Sequence, residues 1–409
     1  MPTSLTALVL IVFALVYVGM AAGRVPGLRV DRVGIALIGA VVVVAAGALN
    51  PAQALAAVDF PTLFVLFGLM ILSAQFAEAG FTDWCSQKVA ASPASPERLL
   101  ALTVAVGGGL SAVLANDVVV FAMTPLLCAG LERRGLDPRP YVIALAGAAN
   151  AGSAATLIGN PQNILIGQAG GLNFWEFLAV CGPPAVVALA VTYGVVAWIW
   201  RGRLHLAAPV RPPEVAARPL DRAMLLKGLA ATVLLLALFS TPLPHAAGAL
   251  VVAAVLLVSR RLATRTALGL VDWPLLVLFA ALFVVTGALA ATGLPDRAVA
   301  ALADAGLAPD GLGTLAALTL IGSNTIGNVP ADMLLLAALP DLGERSLQAL
   351  ALLSTLAGNL LLTGSLANII AVERAASVGV RVSFLDHARC GVPMTLLSLA
   401  VALAWLAAV

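Results

Sequence analysis

The chain contains the polar run Gly159-Asn160-Pro161-Gln162-Asn163 within a long apolar stretch, and a matching run, Gly364-Ser365-Leu366-Ala367-Asn368, follows in its second half. In a lipid bilayer such a break exposes backbone N–H and C=O groups that lipid cannot satisfy. It is tolerated only where it lines a protein-enclosed or water-filled cavity. The two runs therefore predict two broken helices around one binding site at mid-membrane.

A second pair of short polar runs lies upstream of these breaks. The first is Ala115-Asn116-Asp117 and the second is Ser323-Asn324-Thr325. The apolar legs on either side of each run are too short to cross roughly 30 Å of hydrocarbon. We therefore predict two re-entrant helical hairpins, at residues 98–133 and 310–340, with these runs at their tips.

The composition assigns the chain to the membrane. Of its 409 residues, 61% are hydrophobic and 10% are charged, and the mean hydropathy is +1.05. Apolar runs of about twenty residues recur, each long enough for one crossing. The predicted fold class is an all-α polytopic membrane protein with about ten transmembrane crossings, two of them broken helices, plus the two re-entrant hairpins. The four cysteines are scattered, which indicates neither a metal site nor disulfides.

The distribution of basic residues predicts the orientation. When successive spans alternate sides, all but Arg297 and Arg345 of the 22 Lys and Arg residues fall on one side. Short loops rich in Lys and Arg stay cytoplasmic, so we expect a multi-pass protein of the bacterial inner (plasma) membrane with both termini outside. The segment from Ser4 to Ala22 lacks the basic start of a signal peptide and is expected to be retained. The basic residues are spread over separate loops, which indicates no nucleic-acid partner.

The two halves carry the same order of features in opposite topology. Asp59-Phe60-Pro61 opens a span in the first half and Asp272-Trp273-Pro274 opens one in the second, each followed by a hairpin and a broken helix. Inverted repeats with discontinuous helices are typical of secondary transporters, which bind substrate and coupling ions at the repeat interface. The predicted organisation begins with N-terminal scaffold helices at 1–55 and a first repeat at 56–200, which contains a hairpin from the cytoplasm at 98–133 and a broken helix at 141–170. A Pro-rich cytoplasmic linker at 201–222 and scaffold helices at 223–267 follow. The second, inverted repeat at 268–409 contains a hairpin from outside at 310–340 and a broken helix at 346–378.

The breaks define the candidate site. Each one creates a helix N-terminus that attracts an anion and a helix C-terminus whose carbonyls coordinate a cation. No Arg or Lys lies in the four runs, so helix ends and Asn, Ser and Thr donors are expected to hold an anion. The candidate substrate- and ion-binding residues are Asn116, Asp117, Gly159, Asn160, Asn163, Ser323, Asn324, Thr325, Gly364, Ser365 and Asn368.

Asp117 is the candidate coupling residue. An ionisable group deep in a membrane is a functional candidate by default, as a proton carrier or a cation ligand. Aligning the two tips places Asp117 opposite Thr325, and this asymmetry predicts where the coupling ion is decided. The structural alternative for the tip residues is helix N-capping. Asp332 is a second buried acid, either functional or complementing the positive end of the second hairpin leg.

The four runs carry a family resemblance. Ala115-Asn116-Asp117-Val118, Ala149 to Asn163, Ser323 to Pro330 and Ala357 to Asn368 resemble the ion transporter superfamily of ArsB arsenite permeases, NhaD-type sodium/proton antiporters and divalent anion/sodium symporters. The run at 159–163 is most similar to the YbiR-like branch of anion transporters. The resemblance implies a homodimer in which a transport domain of hairpins and broken helices moves against fixed scaffold helices.

The resemblance also implies roles for the hairpin tips. In the symporter branch a Ser-Asn-Thr tip holds substrate and helps to form a sodium site, and Ser323-Asn324-Thr325 matches that motif. Ala115-Asn116-Asp117 is more similar to ArsB. Na+ near Asn116 and Asp117 and near Ser323 and Asn324 is therefore one candidate coupling ion, and H+ is the other. No further cofactor is expected.

The predicted function is secondary active transport of a small anion, an inorganic oxyanion or a carboxylate, by alternating access with H+ or Na+ coupling. The alternatives are an arsenite or antimonite efflux permease, a Na+/H+ antiporter and, less favoured, a channel. An intramembrane hydrolase is disfavoured because the chain has no Gly-x-Ser-x-Gly or His-Glu-x-x-His motif and its histidines lie away from the breaks. The chain is therefore predicted not to be an enzyme.

Overall fold

A computed structural model describes residues 2–22, 27–206, 215–304, 308 and 310–409. These residues form helices joined by turns and loops, with no β-strand among them, which confirms the predicted all-α class. Arg24, Arg211 and the linker prolines Pro209, Pro212 and Pro213 lie outside the described residues. The helices are α1 (Thr3–Ala22), α2 (Arg32–Ala45), α3 (Pro51–Ala57), α4 (Phe60–Glu78), α5 (Phe81–Ala90), α6 (Pro96–Ser111), α7 (Asn116–Arg133), α8 (Pro138–Ser153), α9 (Pro161–Gly170), α10 (Phe174–Ile199), α11 (Arg222–Phe239), α12 (His245–Leu257), α13 (Thr264–Gly269), α14 (Trp273–Ala290), α15 (Leu294–Asp304), α16 (Leu312–Ile326), α17 (Asn328–Ala338), α18 (Glu344–Ala357), α19 (Leu366–Ala376) and α20 (Phe384–Ala408).

Six helices in the described residues are long and apolar enough to cross a bilayer: α1, α4, α10, α11, α14 and α20. Two shorter apolar helices, α2 and α12, have 14 and 13 residues. The helix pairs α8/α9 and α18/α19 are the two broken helices that the polar runs predict. These ten units correspond to the predicted crossings, and α6/α7 and α16/α17 form the two helical hairpins.

The helix order repeats across the whole described chain. Helices α2 to α5 begin at Arg32, Pro51, Phe60 and Phe81. Each of the helices α12 to α15 begins 213 residues after its counterpart in the first half; α2, for example, begins at residue 32 and α12 at residue 245. The caps repeat as well: Asp59 accepts a hydrogen bond from the backbone N–H of Thr62 at the start of α4, and Asp272 does the same for Leu275 at the start of α14. Each carboxylate satisfies a donor that a helix start leaves free.

The two halves interlock. α2 packs on α14, and its counterpart α12 packs on α4. In the same exchanged way α9 packs on α17 and α18, whereas α19 packs on α7 and α8. The second half of each broken helix is therefore held by the hairpin and broken helix of the other half. This arrangement brings all four polar runs to one interface.

The turn of the second hairpin lies later in the chain than the predicted tip, which was centred on Asn324 and Thr325. α16 continues through Ser323, Asn324 and Thr325 to Ile326, so these residues are not helix caps. The turn occurs at Gly327, whose φ of +93° is a conformation that side chains disfavour. The prediction placed the break at the polar residues, but the backbone breaks where glycine permits it.

This turn changes the pairing of the two tips. α7 begins at Asn116 and α17 begins at Asn328, so Asn328 rather than Asn324 is the counterpart of Asn116. Asp117 is then opposite Val329, and the predicted pairing with Thr325 is wrong. The asymmetry between the tips is larger than the sequence alignment indicated, because an acid now faces an apolar counterpart.

Short helices α3, α5, α13 and α15 were not among the predicted spans. α5 packs on α7, and α15 packs on α17. Next to α5, the described end of the linker is fixed: Arg218 pairs with Glu78, and its backbone N–H donates to Asp83 at 2.9 Å. Arg261 pairs with Asp221, the cap of α11, at 2.6 Å. The linker and the loops therefore meet at one end of the helix bundle. We call this end, which contains Glu78, Asp83, Arg218, Asp221 and Arg261, the basic end.

Candidate functional site

Asn150, in the last turn of α8, is the centre of a buried amide cluster that joins the two halves. Its Nδ2 donates to Oδ1 of Asn359 at 2.7 Å and to Oδ1 of Asn368 at 3.1 Å. Its Oδ1 accepts from Nδ2 of Asn116 at 3.2 Å and from Oγ of Ser365 at 2.9 Å. All five side chains are buried. One asparagine thus ties the first hairpin to the second broken helix.

Asn163 and Asn368 hold the two breaks in the same way. Nδ2 of Asn163 donates to the backbone carbonyls ten and seven residues upstream, at 3.1 and 2.9 Å. Nδ2 of Asn368 donates to the carbonyls ten and seven residues upstream, at 2.8 and 3.3 Å. These carbonyls belong to the helix ends that a break leaves unsatisfied. Both side chains are fully buried, so they act on the backbone of the break.

Asn160 caps α9 and joins it to the second half. Its Oδ1 accepts from the backbone N–H of Asn163 at 2.8 Å, and Pro161 fills the first helical position, where its missing N–H is no loss. Its Nδ2 donates to Oγ of Ser153 at 3.0 Å and to Oγ1 of Thr355 at 3.3 Å. Ser365, the counterpart of Asn160, has no such cap and instead donates to the amide cluster.

The side chains of the Ser323-Asn324-Thr325 run form hydrogen bonds with backbone groups. Oγ of Ser323 donates to the carbonyl of Ser354 at 3.4 Å, and Oγ1 of Thr325 donates to the carbonyl of Ile321 at 2.8 Å within its own helix. Nδ2 of Asn324 donates to the carbonyl of Ala357 at 2.9 Å, and its Oδ1 accepts from the N–H of Leu361 at 3.1 Å. Asn324 therefore fastens α16 to the break between α18 and α19.

Two glycines let the backbones meet at the breaks. A Cβ on Gly159 would lie 2.4 Å from the carbonyl oxygen of Ser153, and a Cβ on Gly364 would lie 2.4 Å from Oδ1 of Asn324. The carbonyl of Gly159 also accepts from the N–H of Asn116 at 3.0 Å, which docks the first tip on the first break. Glycine at these two positions therefore allows an approach that any side chain would block.

Gly159→Ala and Gly364→Ala are each expected to destabilise the protein, because the added methyl group overlaps a fixed oxygen. Overpacking of this kind costs about 1–3 kcal/mol. Thermal unfolding in detergent micelles, followed by size-exclusion chromatography, measures the effect. The matched control is Gly109→Ala in α6, where an added Cβ meets no atom within 4 Å. Alanine is the better helix former, so this variant should unfold at or above the wild-type temperature. Equal unfolding midpoints for the three variants would contradict a steric overlap at Gly159 and Gly364.

A small cavity of about 90 Å³ lies where the tips and breaks meet. Its polar lining comes from both halves and from α2, and the side chains are Arg32, Asn116, Asp117, Gln162, Asn328, Thr363 and Ser365. Apolar residues of α1, α14 and the second tip complete its wall, among them Phe279 and Pro330. The hydroxyl of Tyr17 on α1 donates to the carbonyl of Pro330 at 3.3 Å and fixes that tip.

A larger cavity of about 570 Å³ leads from this region to the basic end. Its lining includes Asp83 and Arg218 at the basic end, Gly269, Asp272 and Arg374, and also Asp117, Val118, Asn160 and Pro161 at the first tip and the first break. The Arg374 guanidinium lies 4.1 Å from the centre of the Phe121 ring, so the last turn of α19 contacts α7 here. Both signs of charge therefore line the route to the breaks.

Asp117 belongs to both cavities. It is half-buried, it is the second residue of α7, and its carboxylate has Asp272 as a neighbouring negative charge. Of the other predicted site residues, Asn116 and Ser365 line the small cavity and Asn160 lines the large one. The remaining ones, Gly159, Asn163, Ser323, Asn324, Thr325, Gly364 and Asn368, line neither cavity and shape the backbone around them.

Several site residues were not among the sequence candidates. Asn150 and Asn359 stand in the runs that carry the family resemblance, so their position was visible but their central role was not. Asn328 was missed because the second tip was placed too early. Arg32 lies outside every polar run, and only the packing of α2 against α14 brings it to the small cavity. Distance along the chain hides such a contact.

The apolar spans, the broken helices and the cavity between the two halves define a polytopic membrane transporter. The family comparison agrees with this class: residues 8–357 match the family model described as "CitMHS: Citrate transporter". The chain belongs to this citrate transporter family, within the superfamily that the polar runs predicted. Its family and relatives are transporters, which confirms that the chain is not an enzyme.

Three known proteins show how far the similarity extends. The chain is 35% identical to "Inner membrane protein YbiR" of Escherichia coli K12, over 78% of this chain and 81% of that protein. It is 27% identical to "Silicon efflux transporter LSI3" of Oryza sativa subsp. japonica, over 92% of each. The solved structure of the Alcanivorax borkumensis YdaH transporter matches with a TM-score of 0.61 and 16% identity, over 99% of this chain and 97% of that one. The last similarity concerns the fold alone.

Proposed function

We propose that this chain is a secondary active transporter that moves a small inorganic oxyanion across the inner membrane in company with protons, which bind at Asp117. The observation that carries the proposal is the position of Asp117, whose side chain lines both the small cavity and the cavity that leads to the basic end. An acid that is shared by the proposed substrate cavity and the cavity that leads to the basic end can exchange protons with water while it faces the substrate. Intramembrane acids in such positions serve as proton relays.

The charge and the polar groups of the small cavity favour an oxyanion. Arg32 supplies a positive charge, Thr363 supplies a hydroxyl donor, and Asn116 has a second Nδ2 hydrogen beside the one that it donates to Asn150. A fixed guanidinium and several N–H and O–H donors are the groups that bind an oxyanion.

The sidedness follows from the same charges. Short basic loops stay in the cytoplasm, so we assign the basic end, and with it the mouth of the large cavity, to the cytoplasmic side. The described conformation is then open to the cytoplasm, the hairpins re-enter from opposite sides, and both termini are outside. The opposite conformation is proposed to exchange the roles of the two interlocked halves. The homodimer remains a prediction from the family resemblance.

Arg32→Gln is expected to weaken oxyanion transport. A hydrogen bond to a charged group contributes about 1.5–3 kcal/mol, which corresponds to a roughly tenfold to hundredfold rise in the half-saturating concentration. Uptake of radiolabelled sulfate, phosphate and arsenate into proteoliposomes measures the change. Arg29→Gln is the matched control, since Arg29 is exposed three residues earlier and lines neither cavity. Equal effects of the two variants would remove Arg32 from the substrate site.

Efflux of a neutral oxyacid in exchange for protons is the second candidate. It is favoured by the acid in the site and by the names of two relatives, the rice silicon efflux transporter and an arsB-named transporter of Dictyostelium discoideum. A neutral substrate gains little from a guanidinium. Transport of arsenite, which is uncharged at neutral pH, should therefore survive Arg32→Gln under this second proposal, whereas transport of sulfate or phosphate should not.

A further inference from the structure

The interface between α17 and α18 holds a buried carboxylate that the proposed substrate site does not use. Asp332 is 0% exposed, and neither of its carboxylate oxygens has a hydrogen-bond partner among the described residues. Asn328 lies one helical turn earlier on the same face of α17, and its Oδ1 is also buried without a partner there. Ser354 of α18 is the polar side chain beside Asp332. The Ser354 hydroxyl donates to the carbonyl of Ala351 at 3.4 Å, so the carboxylate has no hydrogen-bond donor among the described residues.

Ionised Asp332 would be unfavourable in this place. Burying a carboxylate without a cation or donors is strongly disfavoured, and such a group takes up a proton instead. A neutral carboxyl group has no charge to compensate, and its O–H can donate to a neighbouring oxygen. The protonated form is therefore the one that this interface favours.

The surrounding helices offer no compensating charge. Among the described residues, α9 and α16 carry no titratable side chain, and α14 has only its cap, Asp272. α18 carries Glu344 and Arg345 in its first turn, more than two turns from Ser354. α15 carries Asp296, Arg297 and Asp304, of which Arg297 and Asp304 are exposed, and α1 carries Tyr17, whose hydroxyl is bound to Pro330.

We propose that Asp332 is a second proton-binding residue, neutral while the second hairpin is seated against α18. Asn328, one helical turn before Asp332, lines the small cavity and so connects Asp332 with that cavity. When the hairpin leaves α18, the carboxyl O–H bond breaks, the proton passes to water and the electron pair remains on the carboxylate. The protonation itself is a property of this interface, whereas its part in coupling rests on the proposed transport function.

Infrared spectroscopy of the purified full-length protein at neutral pH tests the assignment. The wild type should show the C=O stretch of a protonated carboxyl group, with a small shift in D2O, and Asp332→Asn should lose the equivalent of one such group per chain. Asp117→Asn should keep that component, so failure of the Asp117 proposal and failure of this one give different spectra. An unchanged spectrum in Asp332→Asn would overturn the proposal.

Two further measurements tie the band to this carboxyl group and separate a proton site from a cation site. Asp332→Glu should retain a protonated band at a shifted position, and Ser354→Ala should move the wild-type band, because both alter the immediate surroundings of one carboxyl group. Loss of the band when sodium chloride replaces choline chloride would identify a cation site and would overturn the proton assignment. If Asp332→Asn elutes as an aggregate, Asp332→Glu takes its place: a shifted band supports the assignment, and a band that stays at the wild-type position overturns it.

Discussion

Asp117→Asn is expected to abolish proton-driven accumulation of substrate while leaving the protein folded. Asparagine has nearly the same shape as aspartate, and removing the acid from the first turn of α7 costs only about 0.3–1 kcal/mol of interaction with the helix dipole, so α7 should begin as before. It cannot take up or release a proton, and Asp117 is the acid that lines both cavities. Uptake into proteoliposomes, with and without an imposed pH gradient, measures the coupling directly.

The matched control for this variant is Asp59→Asn. Asp59 caps α4 through the N–H of Thr62, a role that asparagine also fills, and it lines neither cavity. It should therefore keep the wild-type response to the pH gradient. If Asp117→Asn retained that response, Asp117 would have no part in proton coupling and sodium dependence would have to be tested in its place.

Asn150→Ala is expected to have the largest effect on stability. The change leaves Asn116 Nδ2, Ser365 Oγ, Asn359 Oδ1 and Asn368 Oδ1 without the partner they share. Each buried polar group left unpaired costs about 1–3 kcal/mol, so even partial rearrangement leaves a large loss. Thermal unfolding in detergent should begin well below the wild-type temperature.

Two variants separate this effect from a general loss of an asparagine. Asn173→Ala removes a cap at the start of α10, where about 1 kcal/mol is expected. Asn150→Asp keeps the shape but replaces the two N–H donors with an acceptor that faces Asn359 Oδ1 and Asn368 Oδ1. It should therefore behave like Asn150→Ala. Equal unfolding temperatures for Asn173→Ala and Asn150→Ala would show that the cluster contributes little.

Much of the fold was readable because the bilayer permits few exceptions. A polar run such as Gly159 to Asn163 in an apolar span has to be a break in an enclosed place, so the broken helices follow from sequence. The hairpin tip at Gly327 did not, because polarity marked Ser323 to Thr325 while backbone freedom decided the turn. Polar residues inside a helix and at its end look alike in a sequence.

The candidate site divides along the same line. Asn116, Asp117, Asn160 and Ser365 were predicted, because a residue at a break faces a cavity in either half. Asn163 and Asn368 were predicted to bind the substrate or an ion. Their side chains instead donate hydrogen bonds to the backbone carbonyls of their own breaks. The contacts of Arg32 and Asn150 depend on the exchange of helices between the halves. No local pattern specifies that exchange.

The most direct measurement of the central claim is accumulation of solute by the wild-type protein in proteoliposomes. Sulfate, phosphate and arsenate would be offered at equal concentrations on both sides of the membrane, with an inwardly directed proton gradient imposed at time zero. We expect at least one of these oxyanions to rise inside above its outside concentration and to fall back when a protonophore is added. Movement that stops at equal concentrations for every solute, with or without the gradient, would contradict secondary active transport of an oxyanion and would indicate another substrate or a channel.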